Sequence, residues 1–283
     1  MLDNIDPDVN HYGDYSVNFT SYDIDSLKNN INLDDGFNLL HHNSRSLLAE
    51  NRMVNYEVLL DSINNPFHIL GLSETWLKPE NVNDVEFDDY DHIYIVRPID
   101  GNNDNKETGG GLSFFIRKGV DFRVCENMKV VQPFMESLFI EVCRNNKTYM
   151  IGLIYRVPNT NIDSFIDKVN ELIEPIKNKH EVILLGDFNI DLLQDNKYSR
   201  DFQNMLQSNY LAPTILDATR VASVNRNGEN QLTETLIDNI FINRCTDFKS
   251  GLIYSSITDH YPIFTTILDS SPHTNNEAAP KTT

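Results

Sequence analysis

Cysteine is scarce in this 283-residue sequence: Cys125, Cys143 and Cys245 are widely spaced and form no Cys-x-x-Cys pair. An odd set of this kind matches neither a disulfide framework nor a zinc site, so reduced, mostly buried thiols in an intracellular protein are expected. Long apolar runs are missing too. Nothing approaches the roughly 20 residues that span a bilayer, and Met1-Leu2-Asp3-Asn4 lacks the basic and apolar regions of a secretory signal. A soluble protein without a membrane partner is expected. Positive charge is also short: 23 Lys and Arg stand against 42 Asp and Glu, a formal net charge of −19. Residues 1–36 hold eight Asp and one Lys, the segment after residue 268 holds two acids and one Lys, and the body between keeps −11. An acidic body argues against a protein that grips nucleic acid by bulk charge. It does not exclude a metal-dependent phosphodiesterase, whose carboxylates count as acid until a cation binds.

Hydrophobic residues at 40% and aromatics at 10% are enough for a substantial core, in one large α/β domain or two small ones. The stretch 181–192, E-V-I-L-L-G-D-F-N-I-D-L, organises the chain. Its short apolar run predicts a fully buried strand. The strand delivers Asp187 and Asn189 two residues apart, hence on one side of an extended chain. A carboxylate and an amide presented together can orient a water or hold a phosphate oxygen. Gly, Asp and Asn also cluster where strands end for conformational reasons, so the stretch alone reads first as a turn.

Residues 1–36 are Asp- and Asn-rich and are expected to form a poorly ordered leader with a short helix at 24–29; a tail from 269 reads as disordered. Between them, strands are expected at 37–42, 67–72, 93–96, 112–117, 120–124, 137–142, 149–155, 182–185, 236–241, 251–254 and up to 268. Helices are expected over 46–64, with Leu47, Val54, Val58, Leu59 and Ile63 at helical spacings, from Asn161 to Ile176, and over 198–208. The segment 217–234 reads as two short strands with Asn227-Gly228 at the tip. Asp100, Asn102 and Asp104 resemble a calcium loop, but Asn105 and Gly111 occupy the positions that require Gly and Glu. Thr108-Gly109-Gly110-Gly111 leads into a strand, not a helix, so it is no P-loop; the glycines fit close backbone approach at a sheet edge. Many strands with few interposed helices predict two packed sheets with helices outside.

Polar residues with catalytic potential stand at most of these strand ends: Asn43, Glu74, Tyr155, Asp187, Asn189, Asp238, Asp259 and His260. Phosphodiester hydrolysis needs an aligned water, stabilisation of the developing phosphorane charge and help for the leaving oxygen. Glu74 and Asp259 are hard oxygen ligands suited to Mg²⁺. His260, held by a carboxylate, can donate to a phosphate oxygen. His41 and His42 read as packing or surface groups and are set aside.

The motifs N-S-R-S, L-S-E-T-W, G-G-G-L-S-F-F-I-R, I-Y-R-V-P-N, L-L-G-D-F-N, L-I-D-N-I-F and T-D-H-Y-P-I occur in the order found in the endonuclease/exonuclease/phosphatase superfamily. Over residues 37–268 the chain most resembles the apurinic-endonuclease-like nuclease domain of non-LTR, LINE-type retrotransposons. The resemblance implies an α/β DNase I-like four-layer sandwich and a Mg²⁺-dependent endonuclease, with Mn²⁺ as an alternative ion. Such an enzyme nicks double-stranded DNA, leaves 3′-hydroxyl and 5′-phosphate ends, and serves a reverse transcriptase of the same element. Monomeric state and nuclear activity are expected with it. By the same resemblance, Glu74 is the principal metal ligand, aided by Asn43 and Asp259. Asp187 aligns or deprotonates the water, Asn189 assists and contacts the phosphate, and Tyr155 hydrogen-bonds it. His260 stabilises the transition state with Asp238 as its partner. Arg45, Arg97, Arg156, Arg220 and Arg226 are candidate phosphate contacts, and 217–234 resembles a hairpin that probes the minor groove.

The chain departs from that pattern in places. Arg45 stands where apurinic endonucleases carry an acid, which weakens a second metal and abasic-site repair. Thr258 replaces a common Ser, and Glu234 places an acid beside the expected DNA-facing loop. A phosphatase of the same superfamily is a weaker alternative, because Leu185 precedes Gly186-Asp187 and Asn239 follows Asp238 where Arg would be expected. A catalytically silent remnant that binds DNA or a partner is the other.

Overall fold

The computed structural model describes residues 18–30, 36–97, 109–226, 229–243 and 247–268. The calcium-like loop, the Asn227-Gly228 tip, the Arg226 side chain, Cys245 and the tail from 269 lie outside the described residues. In chain order the elements begin with β1 (Asn18–Tyr22), α1 (Ile24–Asn30), β2 (Gly36–Asn43), α2 (Arg52–Ser62), β3 (Ile69–Ser73), β4 (Tyr90–Ile95) and β5 (Leu112–Arg117). Next come β6 (Phe122–Val124), β7 (Val130–Gln132), β8 (Met135–Arg144), β9 (Lys147–Arg156), α3 (Ile162–Ile173), β10 (Glu181–Asp187) and α4 (Lys197–Ser208). The last are β11 (Ala212–Pro213), β12 (Arg220–Arg226), β13 (Glu229–Thr235), β14 (Asp238–Ile242), β15 (Phe248–Ile253) and β16 (Ile263–Leu268).

One sheet has the order β1-β15-β16-β2-β3-β5-β4 and the second β11-β14-β10-β9-β8-β6, with β7 also paired to β8; β12 and β13 form a separate ribbon. Both sheets are mixed. The β2/β3 and β9/β10 pairs are parallel, whereas β16/β2 and β10/β14 are antiparallel.

Burial of β10 on both faces explains its continuous apolar run. Ile183 and Leu185 pack between the sheets with Leu39, Ile69, Ile151 and Leu153. Val182 and Leu184 point the other way, toward Phe165, Val169 and Ile173 of α3 and Phe202 and Leu206 of α4. On the far side of the molecule Leu40, Leu70, Phe115 and Phe264 pack on Tyr56, Leu59 and Leu60 of α2. The layers are therefore helix, sheet, sheet, helix: the DNase I-like sandwich expected from the motifs. Asn161 starts α3 by accepting a bond from Ser164 N–H at 2.9 Å, satisfying one of the first-turn donors.

The structure departs from expectation in three places. Part of the leader is built into the fold, since β1 pairs in parallel with β15, while α1 is the short helix expected there. Helix α2 begins at Arg52 and buries Tyr56, Leu59 and Leu60, leaving Val54 and Val58 exposed. The reason is local. Ser46 N–H bonds Glu74 O at 2.8 Å and Leu47 N–H bonds Thr75 O at 3.0 Å, with Arg45 and Ser46 at positive φ, so this stretch belongs to the end of the sheet. Cys125 is buried but Cys143 is exposed, and both thiols are free.

Candidate active site

The strand directions decide what meets at one end of the sandwich. β2, β3, β9 and β10 finish there, while the antiparallel β8, β14 and β16 begin there. Polar side chains at this end reach across from one sheet to the other. Asn43 Nδ2 donates to Asp187 Oδ2 at 2.8 Å. The Tyr155 hydroxyl donates to Glu74 Oε1, whose other oxygen accepts Trp76 Nε1–H at 3.1 Å. His260 Nδ1 lies 2.8 Å from Asp238 Oδ2, which also accepts the Thr219 hydroxyl at 2.8 Å. His41 Nε2 lies 3.4 Å from Asp238 Oδ1.

Asp187 and Asp238 are each only 1% exposed. Burial and the nearby Asp238 charge push the Asp187 carboxyl up, outweighing His260 and the bond from Asn43. Burial would raise Asp238 as well, but His260 and His41 outweigh it and hold this carboxyl well below the usual range. Burial opposes the His260 imidazolium, yet the carboxylates of Asp238, Asp187 and Asp259 outweigh it and raise its pKa to about 9. At neutral pH the pair is therefore an imidazolium held by a carboxylate. Burial and the Glu74 charge keep Tyr155 a phenol.

Glu74, Trp76 and Asn189 have positive φ of 51°, 55° and 47°. For side chains of this size the left-handed region costs on the order of 1–3 kcal/mol each, and such strain is stored where geometry matters. Arg156 helps to maintain it: its Nε donates to Phe188 O at 2.9 Å and its Nη2 to Asn189 O at 2.7 Å, while Asn189 Nδ2 returns a bond to Arg156 O at 2.8 Å.

Eight strand-end residues anticipated from sequence gather at this end, but the arginines do not behave as anticipated. Arg156 is buried and holds the 187–189 turn, so it is corrected from phosphate contact to scaffold. Arg97 donates from Nε to buried Glu136 at 2.5 Å. Arg45 and Arg220 bond the two oxygens of Asp259, at 2.6 and 2.9 Å. Burial of Asp259 is outweighed by Arg45, His260 and Arg220, so its carboxyl is held below the usual range. Two guanidiniums thus offset the charge of the carboxylate that the sequence offered to a cation.

Two residues set aside in the sequence are part of the site. His41 Nδ1 bonds Gly71 O at 3.0 Å, tying the Asp238 partner to β3. His42 Nε2 bonds His260 O at 2.9 Å and its Nδ1 takes the Tyr56 hydroxyl at 2.6 Å. Burial lowers the His42 pKa to about 3, so it is a neutral strut. Glu136, fully buried on β8, was missed altogether.

The fold and the site at its end define a class of nucleases and phosphatases. The chain belongs to the Endonuclease/Exonuclease/phosphatase family, whose profile matches residues 30–260. Members are typically metal-dependent hydrolases. Among solved structures, the endonuclease domain of TRAS1, a telomere-specific non-LTR retrotransposon, is similar at 12% identity with a TM-score of 0.61, covering 83% of this chain and 100% of that one. The AP endonuclease LMAP from Leishmania major is similar at 12% identity with a TM-score of 0.61, covering 84% and 90%. D. rerio TDP2, complexed with a single-strand DNA product, is similar at 14% identity with a TM-score of 0.56, covering 82% and 99%. At these identities the likeness concerns the fold. A search of curated proteins by sequence finds no match. Among the described residues no helix is long and apolar enough to cross a membrane.

Two places offer carboxylates to a divalent cation. Asp187, Asp238 and His260 bring ligand atoms within 4.8 Å of one another. All three are buried, however, and the positive charge on His260 opposes a cation beside it. Glu74 is the half-buried carboxylate, each oxygen accepting one bond and keeping lone pairs, beside the Asn43 amide one strand away. Mg²⁺ dehydrates reluctantly and keeps several waters, so the more open Glu74 fits it better.

Proposed function

We propose that the protein is a Mg²⁺-dependent DNA endonuclease that cuts one strand of double-stranded DNA, leaving a 3′-hydroxyl that a reverse transcriptase extends. The observation that carries this reading is the convergence of a buried, amide-held carboxylate, Asp187, with a carboxylate-held imidazolium, His260, beside a partly open carboxylate, Glu74. Glu74, with Asn43 in support, would hold a divalent cation, which would supply positive charge to the phosphate oxygens. Asp187, with its carboxyl raised by burial, is suited to orient the attacking water and accept its proton. The Asn43 and Asn189 donors fix the direction in which that carboxylate points. His260 has Nδ1 on Asp238 and so offers its other N–H to a phosphate oxygen, where a charge-assisted bond strengthens as negative charge develops. Tyr155, kept a phenol, offers its hydroxyl to the phosphate in exchange for its bond to Glu74.

Nicking of supercoiled plasmid tests this. With Mg²⁺ the protein is expected to produce open circles with extendable 3′ ends. Asp187→Asn, which keeps size and one acceptor, is expected to lower the rate by about 10²- to 10⁴-fold, the range for loss of a general base. Wild-type rates in Asp187→Asn overturn the role of Asp187. One observation favours a second reading, a DNA- or partner-binding protein that does not cut: Asp259 is closed off by Arg45 and Arg220. Plasmid binding without nicking at any Mg²⁺ or Mn²⁺ concentration selects it.

A further inference from the structure

The hydrolysis above makes no use of Glu136, although it is a fully buried acid at this end of the molecule. It sits on β8 opposite Tyr155 in the β8/β9 register and is 0% exposed. A carboxylate there has to be paired and hydrogen-bonded, because removing it from water costs several kcal/mol otherwise. Oε1 accepts Arg97 Nε–H at 2.5 Å and Oε2 accepts the Gly111 N–H at 2.7 Å. Both partners belong to the other sheet, Arg97 following β4 and Gly111 preceding β5.

From these partners two routes run to Glu74. On the first, Gly111 O accepts Thr75 N–H at 3.2 Å and Gly110 O accepts Trp76 N–H at 2.9 Å, which holds the Glu74-Thr75-Trp76 stretch with Glu74 and Trp76 left-handed. On the second, the Arg97 guanidinium lies 5.8 Å over the Tyr155 ring, whose hydroxyl donates to Glu74. Gly110 has a φ of 75°, and a Cβ there would overlap both the Arg97 guanidinium and Glu136 Oε1. The glycine run is thus explained as the gap through which the ion pair passes.

We propose that Glu136 and Arg97 are a positioning pair that aims the Glu74 carboxylate at a divalent cation. The pair fixes the Glu74 backbone through Gly110 and Gly111, and the Glu74 carboxylate through Tyr155. Buried ion pairs contribute little net stability against their desolvation, so an orienting role accounts for this one better than a stabilising role. Residues that orient a ligand from behind typically change metal affinity about 10- to 100-fold when altered. The inference rests on Glu74 being the metal ligand, as read under the proposed function.

The protein carries its own reporter. Trp76 is the only tryptophan in the chain, and its Nε1–H bonds Glu74 Oε2 at 3.1 Å. Titration with Mn²⁺, a paramagnetic quencher, is followed by Trp76 fluorescence in the wild type, Glu74→Gln, Glu136→Gln and Arg97→Lys, with a melting temperature for each. The wild type is expected to show saturable quenching that Glu74→Gln abolishes. Glu136→Gln is expected to weaken Mn²⁺ binding about 10- to 100-fold, and Arg97→Lys to weaken it in the same direction. If both variants bind Mn²⁺ within about twofold of the wild type while melting earlier, the pair is plain structural support and the proposal is overturned. Should Glu136→Gln fail to fold, Arg97→Lys, which keeps the charge, decides by the same criterion. Absence of saturable quenching in the wild type overturns the metal role of Glu74 and this proposal together. Wild-type binding that neither variant changes overturns the positioning role alone.

Discussion

Replacing Asp238 with Asn removes the charge that keeps His260 protonated while preserving the side-chain shape. In the wild type the imidazolium titrates at about 9, against an ordinary 6.5. Burial is the largest influence on this ring and opposes its charge, so without the Asp238 carboxylate the pKa falls back toward the ordinary value, with Asp187 and Asp259 still favouring the charged form. That difference corresponds to ~3 kcal/mol of stabilisation of the charged form, at 1.36 kcal/mol per pKa unit. If the imidazolium assists the reaction, nicking at pH 7.5 falls by up to about tenfold, the loss in protonated fraction when the midpoint returns to the ordinary value. The sign for stability follows from linkage. A raised pKa contributes stability that is complete below pH 6.5 and is lost as pH rises through about 9. Wild-type unfolding free energy should therefore decline between pH 6.5 and 9, and Asp238→Asn should remove most of that decline. Ring-proton NMR of His260 reads the pKa directly, urea unfolding at pH 6.5 and 9 reads the linkage, and plasmid nicking reads the chemistry. A His260 midpoint that stays near 9 in Asp238→Asn refutes the electrostatic account.

Two further outcomes test the scaffold. Arg156→Lys cannot bond Phe188 O and Asn189 O at once as the guanidinium does, so the Asp187 turn should loosen. Plasmid nicking should fall at least tenfold, as expected when a supporting residue is altered, with little change in DNA binding measured by anisotropy. Phe202→Ala opens a cavity among Phe165, Phe188 and Phe241, whose ring centroids lie 6.0, 5.4 and 5.8 Å away. It should lower the urea-derived unfolding free energy by about 3–5 kcal/mol, and a loss under 1 kcal/mol would contradict the packing described.

Where a short apolar run ended in a polar residue, the sequence was legible. Val182 to Leu185 must be buried on two faces, so Asp187 had to emerge at the sheet end, and Asn43, Glu74 and Tyr155 followed by the same logic. Partnerships across long separations were not legible. His42 bonds a carbonyl 218 residues away, and nothing local distinguishes it from a packing histidine. Arg156 reads as an exposed cation until the Asn189 turn folds over it. Glu136 did leave a signal. The period of two along β8 places it on the face of Leu138 and Ile140, between the sheets, where an unpaired acid cannot stay. Its guanidinium partner lies 39 residues away, and no spacing rule points to it. The start of α2 was misread for a related reason: Ser46 and Leu47 bond Glu74 and Thr75 instead of opening a helix.

The bonds that assemble the site cross from one sheet to the other, so the thickness of the sandwich acts as a ruler for the chemistry at its end. Gly71 of β3 lies in the middle of that thickness, where a Cβ would collide with Leu185 and press on Leu153 of the opposite sheet. Its carbonyl also holds His41, the second neighbour of Asp238. A methyl group added there, far from any phosphate, would set the separation of Asn43 from Asp187 and of Tyr155 from Glu74. Core volume in this fold is an active-site parameter.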